Sequence, residues 1–192
     1  KKGAILFMVN HPNGLIDPLI VAVNNPRVQH FLVRAASFKK PLIKRFLESL
    51  NLMPIYRMRD GVKQLGNNKD VFDKCFTLLN NQKALMIFPE GSHDKRRTVR
   101  TLSKGFSRIV FGALEQNPAL QIHIIPVGLT YQNPSVYPSN VCLHYGTPIL
   151  ANDFYKPLII NSEIKRLKDV ITSQLKTLCV HIPIDENYEK TL

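Results

Sequence analysis

Short apolar runs alternate with stretches of helical period along nearly the whole chain, and this alternation restricts the fold more than any other feature. The apolar runs are 3–9, 29–34, 52–57, 84–88, 121–130 and 140–145. They are short and apolar on both faces, as buried parallel strands are. Helical patterns lie between them, near 17–24, 40–50, 68–81, 104–116 and 162–179. In the fourth of these, Phe106, Ile109, Val110, Ala113 and Leu114 recur with a 3.6-residue period. Such alternation implies right-handed crossovers. The expected fold is α/β, with a mostly parallel central sheet of about six or seven strands and helices on both faces. The 192 residues suit one domain, so 1–192 is expected to be a single unit. Gln132–Asn140, with Pro134 and Pro138, reads as a loop, and Pro183–Leu192 as a polar, peripheral end.

In open α/β sheets ligands bind outside the carboxyl ends of the strands. Two segments follow strand-like runs and carry chemistry. The first is Asn10-His11-Pro12-Asn13-Gly14-Leu15-Ile16-Asp17. If Asp17 opens the next helix, the loop folds back and its carboxylate meets one imidazole nitrogen of His11. The other nitrogen is then a general base. Each residue alone has a plainer reading: Asp17 before Pro18 also suits a helix N-cap. The second segment is Phe88-Pro89-Glu90-Gly91-Ser92-His93. Gly91 permits a backbone conformation denied to other residues. Glu90 is placed either to orient a substrate hydroxyl or to lock the loop. The plainer reading is a strand-ending turn with a solvated Glu. His93-Asp94 is a weaker acid–base pair, since adjacent side chains rarely face one another.

The chain holds 26 Lys and Arg against 14 Asp and Glu, a net charge of +12. That excess points to an anionic partner: nucleic acid, an acidic membrane surface or a phosphorylated substrate. Arg57 and Arg59 follow a strand, and Lys95, Arg96, Arg97, Arg100, Lys104 and Arg108 follow the Glu-Gly turn. Most surface cations are simply solvated. Lys104-Gly105, however, opens a helix, and a cation beside a helix N-terminus suits an anion. Arg57 and Lys104 are therefore the phosphate candidates. The helix near 40–50 sets Leu42, Ile43, Phe46, Leu47 and Leu50 against Lys39, Lys40, Lys44 and Arg45.

Other chemistries lack their motifs. No G-x-S-x-G elbow occurs. Gly61 to Gly66 has Walker spacing, but Asn67 stands where the Lys belongs. The six His have no metal-ligand spacing, and no metal is expected. Cys75, Cys142 and Cys179 form no disulfide pattern and read as reduced core thiols. No apolar run is long enough to span a bilayer.

With both segments in hand, the chain resembles the glycerolipid acyltransferase family, the 1-acylglycerol-3-phosphate and glycerol-3-phosphate O-acyltransferases. Four blocks match in order between residues 10 and 130. Asn10-His11…Asp17 is similar to the first, the catalytic His–Asp pair. Pro54-Ile55-Tyr56-Arg57 is similar to the second, whose Arg binds the acceptor phosphate. Phe88-Pro89-Glu90-Gly91 is similar to the third, which serves the acceptor. Ile125-Pro126-Val127 is similar to the fourth, which shapes the acyl-donor site. Two departures stand out. Five residues rather than the usual four separate His11 from Asp17, and Ser92-His93 replaces Thr-Arg in the third block. The Ser-His-Asp form is closer to certain glycerol-3-phosphate acyltransferases.

The resemblance implies that His11, held by Asp17, deprotonates a glycerol hydroxyl, which attacks the thioester of acyl-CoA or acyl carrier protein. No cofactor beyond that donor is implied. Asn10, Arg57, Glu90, Gly91, Ser92 and Lys104 would form the acceptor site, and Pro126 part of the donor site. The expected acceptor is 1-acylglycerol-3-phosphate, giving phosphatidic acid, with glycerol-3-phosphate or another lysolipid as the alternative. The expected location is the cytoplasmic face of an anionic membrane. The family's N-terminal helical anchor is absent from these residues, and an anchor upstream is left open. A basic nucleic-acid-binding domain explains the charge but not the four blocks, and no recognised nucleic-acid motif is present. A non-catalytic lipid-binding relative conflicts with the intact His11 and Asp17.

Overall fold

The computed structural model describes residues 3–56, 66 and 68–191. Its core is a sheet with strand order β3-β2-β4-β1-β5-β6, in which β7 also pairs with β5. The strands are β1 Ala4–Val9, β2 Gln29–Arg34, β3 Leu52–Ile55, β4 Ala84–Ile87, β5 Ile122–Tyr131, β6 Val141–Tyr145 and β7 Ile149–Leu150. The main helices are α1 Ile16–Val23, α2 Pro41–Ser49, α3 Asn68–Asn80, α4 Gly105–Gln116 and α5 Ile160–Leu178, followed by the short α6 Tyr188–Thr191.

All six residues of β1 (AILFMV) are buried, because this strand lies between two parallel neighbours and is covered on both faces. Met8 pairs with Ile87 of β4 on one side and with Pro126 of β5 on the other. The chain leaves β1 towards β2 and leaves β4 towards β5, in opposite directions across the sheet. Adjacent parallel strands whose connections leave in opposite directions, one over each face of the sheet, form a topological switch point, with a crevice at their carboxyl ends. The two segments singled out in the sequence, after β1 and after β4, border that crevice.

Right-handed crossovers put α1 and α2 on one face and α3 and α4 on the other. The two faces are unequally covered. Beneath α3, α4 and α5 lies a large cluster that includes Leu6, Met8, Leu79, Phe106, Ile109, Ile124 and Leu167. The opposite cluster, built on Ile5, Phe7, Val9, Met86, Val127 and Leu129, receives one fully buried residue from α1, Val21. Helix α2 has no buried residue at all.

The α/β expectation and the order of elements agree with this architecture. Two details differ. Strands β6 and β7 run antiparallel to β5, so the sheet is mixed at one edge. The two-residue β7 is too short to carry an apolar pattern of its own and exists because β5 offers it partners. The cysteines also divide. Cys75 is a buried thiol, pushed up to about 12 by desolvation. Cys142 is exposed, contrary to the core reading, because β6 is an edge strand whose outward positions face solvent.

Candidate active site

After β1 the helix start is capped by Asn13 rather than by Asp17. The Asn13 side-chain oxygen accepts from the backbone N–H groups of Leu15 and Ile16, both at 3.1 Å, and so caps the start of α1. This leaves the Asp17 carboxylate free to turn inwards from the first turn of the helix. It is fully buried and accepts from His11 Nδ1 (2.8 Å), Asn13 N (2.8 Å) and the Tyr131 hydroxyl (2.7 Å). An ionised carboxylate only accepts, so Nδ1 of His11 carries the proton and Nε2 presents its lone pair. Among the described residues, nothing hydrogen-bonds Nε2. The imidazole stacks on the Phe88 ring at 4.0 Å and 21°. Asp17 thus sets the tautomer and Phe88 the ring plane. Burial and the Asp17 hydrogen bond push the Tyr131 phenol up, so it stays a proton donor.

The loop after β4 is a tight turn: Gly91 N donates to Phe88 O at 3.0 Å, and Gly91 has a φ of +77°. Glu90 locks the loop. Its buried carboxylate receives the Arg100 guanidinium through Nε (3.0 Å) and Nη2 (2.8 Å), and also the Arg100 backbone N–H. Desolvation pushes the Glu90 carboxyl up from its ordinary value, and Arg100 and the nearby His11 oppose that rise. Ser92 accepts from Arg100 Nη1 at 2.9 Å, and its carbonyl is also held by Arg100. Arg100 was one of a run of cations in the sequence, with no mark separating it from its neighbours.

His93 and Asp94 do not form a pair. The Asp94 carboxylate is bound by Arg96 at 2.6 Å and is held down at about 2, chiefly by that hydrogen bond. Its backbone N–H donates to His11 O at 2.9 Å, which ties the second loop to the first. The His93 ring meets the His11 ring edge-on, with centroids 5.9 Å apart. A Cβ on Gly14 would lie 2.8 Å from His93 Nδ1, so the glycine makes room for this imidazole.

The other expected site residues fall in different places. Asn10 is buried, and its amide is committed to both backbone groups of Leu129, at 2.9 and 2.7 Å. It clamps the end of β1 to β5, two residues before Asp17's partner Tyr131. Pro126 is buried in β5, beside Met8, at the gap between the β7 and β6 pairings. Its carbonyl accepts from Gly146 N at 2.8 Å. Lys104 is exposed at the N-terminus of α4, which the Ser103 N–H to Pro89 O bond (2.8 Å) draws towards the Glu90 turn. Arg57 and Arg59 lie outside the described residues. No group of three or more His, Cys, Asp or Glu side chains suited to a metal occurs among the described residues.

A buried carboxylate and an oriented imidazole thus meet at the crevice of the sheet's switch point, an arrangement suited to general acid–base chemistry. Residues 1–130 match the family described as Acyltransferase, and the chain belongs to that family. It is similar to glycerol-3-phosphate O-acyltransferase 1 of Saccharomyces cerevisiae, with 26% identity over 115 residues, 57% of this chain and 15% of the yeast protein. Glycerol-3-phosphate O-acyltransferase 2 of the same yeast is 26% identical over 120 residues, covering 61% of this chain and 16% of that protein. The chain therefore spans a small part of the length of these relatives. The fold is shared with the 1-acyl-sn-glycerophosphate (LPA) acyltransferase PlsC of Thermotoga maritima, at a TM-score of 0.60 and 16% identity. That superposition covers 93% of this chain and 67% of the other.

Proposed function

We propose that this chain is an O-acyltransferase domain, moving a fatty acyl group from an acyl thioester to a hydroxyl of a phosphate-bearing glycerolipid, with 1-acylglycerol-3-phosphate as acceptor and phosphatidic acid as product. The observation that carries this reading is the His11 Nδ1 to Asp17 contact of 2.8 Å, with Nε2 left unbonded at the mouth of the crevice. In this reaction Nε2 takes the acceptor hydroxyl proton as its oxygen attacks the thioester carbonyl. The tetrahedral intermediate carries its charge on the former carbonyl oxygen. The Gly14 N–H, without a partner among the described residues, is the donor in this loop for that oxyanion. The C–S bond then breaks, and the thiolate of coenzyme A or acyl carrier protein takes the proton from His11. No acyl-enzyme forms, and the step draws on no metal. Arg57 and Lys104 hold the acceptor phosphate, Glu90, Gly91 and Ser92 keep the acceptor side of the crevice in shape, and Pro126 belongs to the floor beneath the donor.

Glycerol-3-phosphate is the second acceptor reading, favoured by the names of the two yeast relatives and by Ser92-His93-Asp94. The work takes place at an anionic membrane surface on its cytoplasmic face. No helix among the described residues is long and apolar enough to cross a membrane.

Thiol release from palmitoyl-CoA, with lysophosphatidate and glycerol-3-phosphate supplied separately, tests the reading. Acceptor-dependent release that collapses in His11→Ala supports it, and the better acceptor decides between the two. Release indifferent to His11, or none with either acceptor and with acyl carrier protein as donor carrier, overturns it.

A further inference from the structure

The two helices on one face of the sheet, α1 and α2, carry exposed apolar side chains, and α1 begins at the His11 loop. On α2, Leu42 is 82% exposed and Phe46 62%, with Ile43 and Leu50 beside them. Leu15, just before α1, and Leu19 and Val23 on it project into solvent just after the His11 loop. Across the crevice, the β5–β6 loop ends in Val136 and Tyr137, the latter 96% exposed. That loop is tied to the catalytic loop by the Asn13 side chain, which donates to Pro134 O at 3.0 Å. Patches of this kind on a folded protein mark contact surfaces.

The charges say what is contacted. Lys39 and Lys40 just before α2, and Lys44 and Arg45 on its other side, are exposed, and of these Lys44 alone has an acidic partner among the described residues, Glu48 at 3.9 Å. A nine-residue helix with no buried residue, aromatic and aliphatic on one side and cationic on the other, has the character of an interfacial helix. A tyrosine at the tip of a loop is likewise suited to the headgroup level, with its ring in the apolar layer and its hydroxyl wet.

We propose that α2, the outer side of α1 and the Val136–Tyr137 tip together form the face that lies on an anionic bilayer, so that the His11 crevice opens at the lipid surface and takes its acceptor laterally from it. This rests on the acyltransfer reading for the identity of the acceptor, but the surface itself does not. The apolar side chains enter the acyl boundary while the four cations stay with anionic headgroups. A partner protein would not need this combination of a wet tyrosine tip and a lysine-rimmed helix.

The chain contains no tryptophan, so Phe46→Trp places a single reporter on α2. With vesicles of phosphatidylcholine containing phosphatidic acid, its emission should shift to the blue and be quenched by brominated acyl chains. Vesicles of phosphatidylcholine alone should bind at least tenfold more weakly. Leu42→Glu with Phe46→Glu, and separately Lys40→Glu with Lys44→Glu, should each weaken vesicle co-sedimentation about tenfold. Their far-ultraviolet circular dichroism, and turnover of a short-chain acceptor kept monomeric in water, should match the parent. Unshifted emission, or charge-reversed variants that sediment with vesicles like the parent, would overturn the surface. So would a dimer that Phe46→Glu dissociates, since a second copy would then cover this face. Normal vesicle behaviour with no turnover of any acceptor would uphold the surface and overturn the acyltransfer reading instead.

Discussion

The Tyr131 hydroxyl donates to Asp17 Oδ1 at 2.7 Å, linking two residues 114 positions apart in the chain. The carboxylate that orients His11 is therefore held from β5 as well as from its own loop. Tyr131→Phe removes one of the three donors that balance a fully buried charge. It should cost about 1–2 kcal/mol of stability in urea unfolding, the usual effect of stranding a buried hydrogen-bonding group. Turnover should fall about tenfold, a fraction of what a complete loss of general-base function costs.

His11→Ala and Asp17→Asn should both reduce acyl transfer by about 1,000-fold, but for different reasons. Removing the imidazole removes the base and leaves the carboxylate with Asn13 N and Tyr131. An amide at position 17 instead presents a donor to one of its former donors, and favours the wrong imidazole tautomer. Thermal unfolding should separate the two: His11→Ala close to the parent, Asp17→Asn clearly lower.

Arg100→Ala leaves Glu90 as a buried carboxylate without its guanidinium, a change that costs about 3–5 kcal/mol at neutral pH when the charge stays uncompensated. Burial already raises the Glu90 carboxyl above its ordinary 4.5, and losing Arg100 raises it further. With the folded-state value above the unfolded one, the folded protein binds more protons in the window above 4.5, so stability falls as pH rises through that window. The variant should thus recover stability relative to the parent as pH is lowered from 7 towards 5. Denaturation series at several pH values check this, and Arg100→Ala with Glu90→Gln should remove most of the pH dependence.

Gly14→Ala sets a Cβ 2.8 Å from His93 Nδ1. The exposed imidazole can swing away at little cost in stability, but it then leaves the edge of His11. We expect a loss of about five- to tenfold in kcat with the unfolding midpoint within about 1 kcal/mol of the parent. Combining Gly14→Ala with His93→Ala should add little to the loss from His93→Ala alone, since the clash has gone. Fully additive losses in this double-mutant cycle would mean that the two residues act separately.

Much of the candidate site was legible because its parts lie close together in the chain. His11 and Asp17 lie six positions apart, and Glu90 and Gly91 are neighbours, so spacing and strand ends were enough to mark them. The residues that support them were not legible. Arg100 reaches Glu90 across ten positions of irregular backbone, and Asn10 finds Leu129 across 119. Asn10 is instructive, since it was expected to face substrate, yet its amide completes the hydrogen bonding between strand ends. The helix cap likewise went to Asn13, which left Asp17 free for its buried role. The run at 140–145 was legible as a strand, but its antiparallel direction, and β7 altogether, were hidden because short edge strands take their direction from the partner that receives them.

By itself, the sequence determined the main strand and helix segments, the α/β class and the two loops that hold His11, Asp17 and Glu90. Hydrophobic period and turn residues act between near neighbours in the chain, and their pattern can be read wherever it occurs. Only the tertiary structure decided that β1 and β4 are adjacent with connections leaving in opposite directions, that Tyr131 and Phe88 set the imidazole, and that the two helices on one face keep apolar side chains in the open. Those outcomes depend on which distant segments come to share a surface. They follow from the burial and hydrogen bonding of the whole chain at once, which no local pattern records.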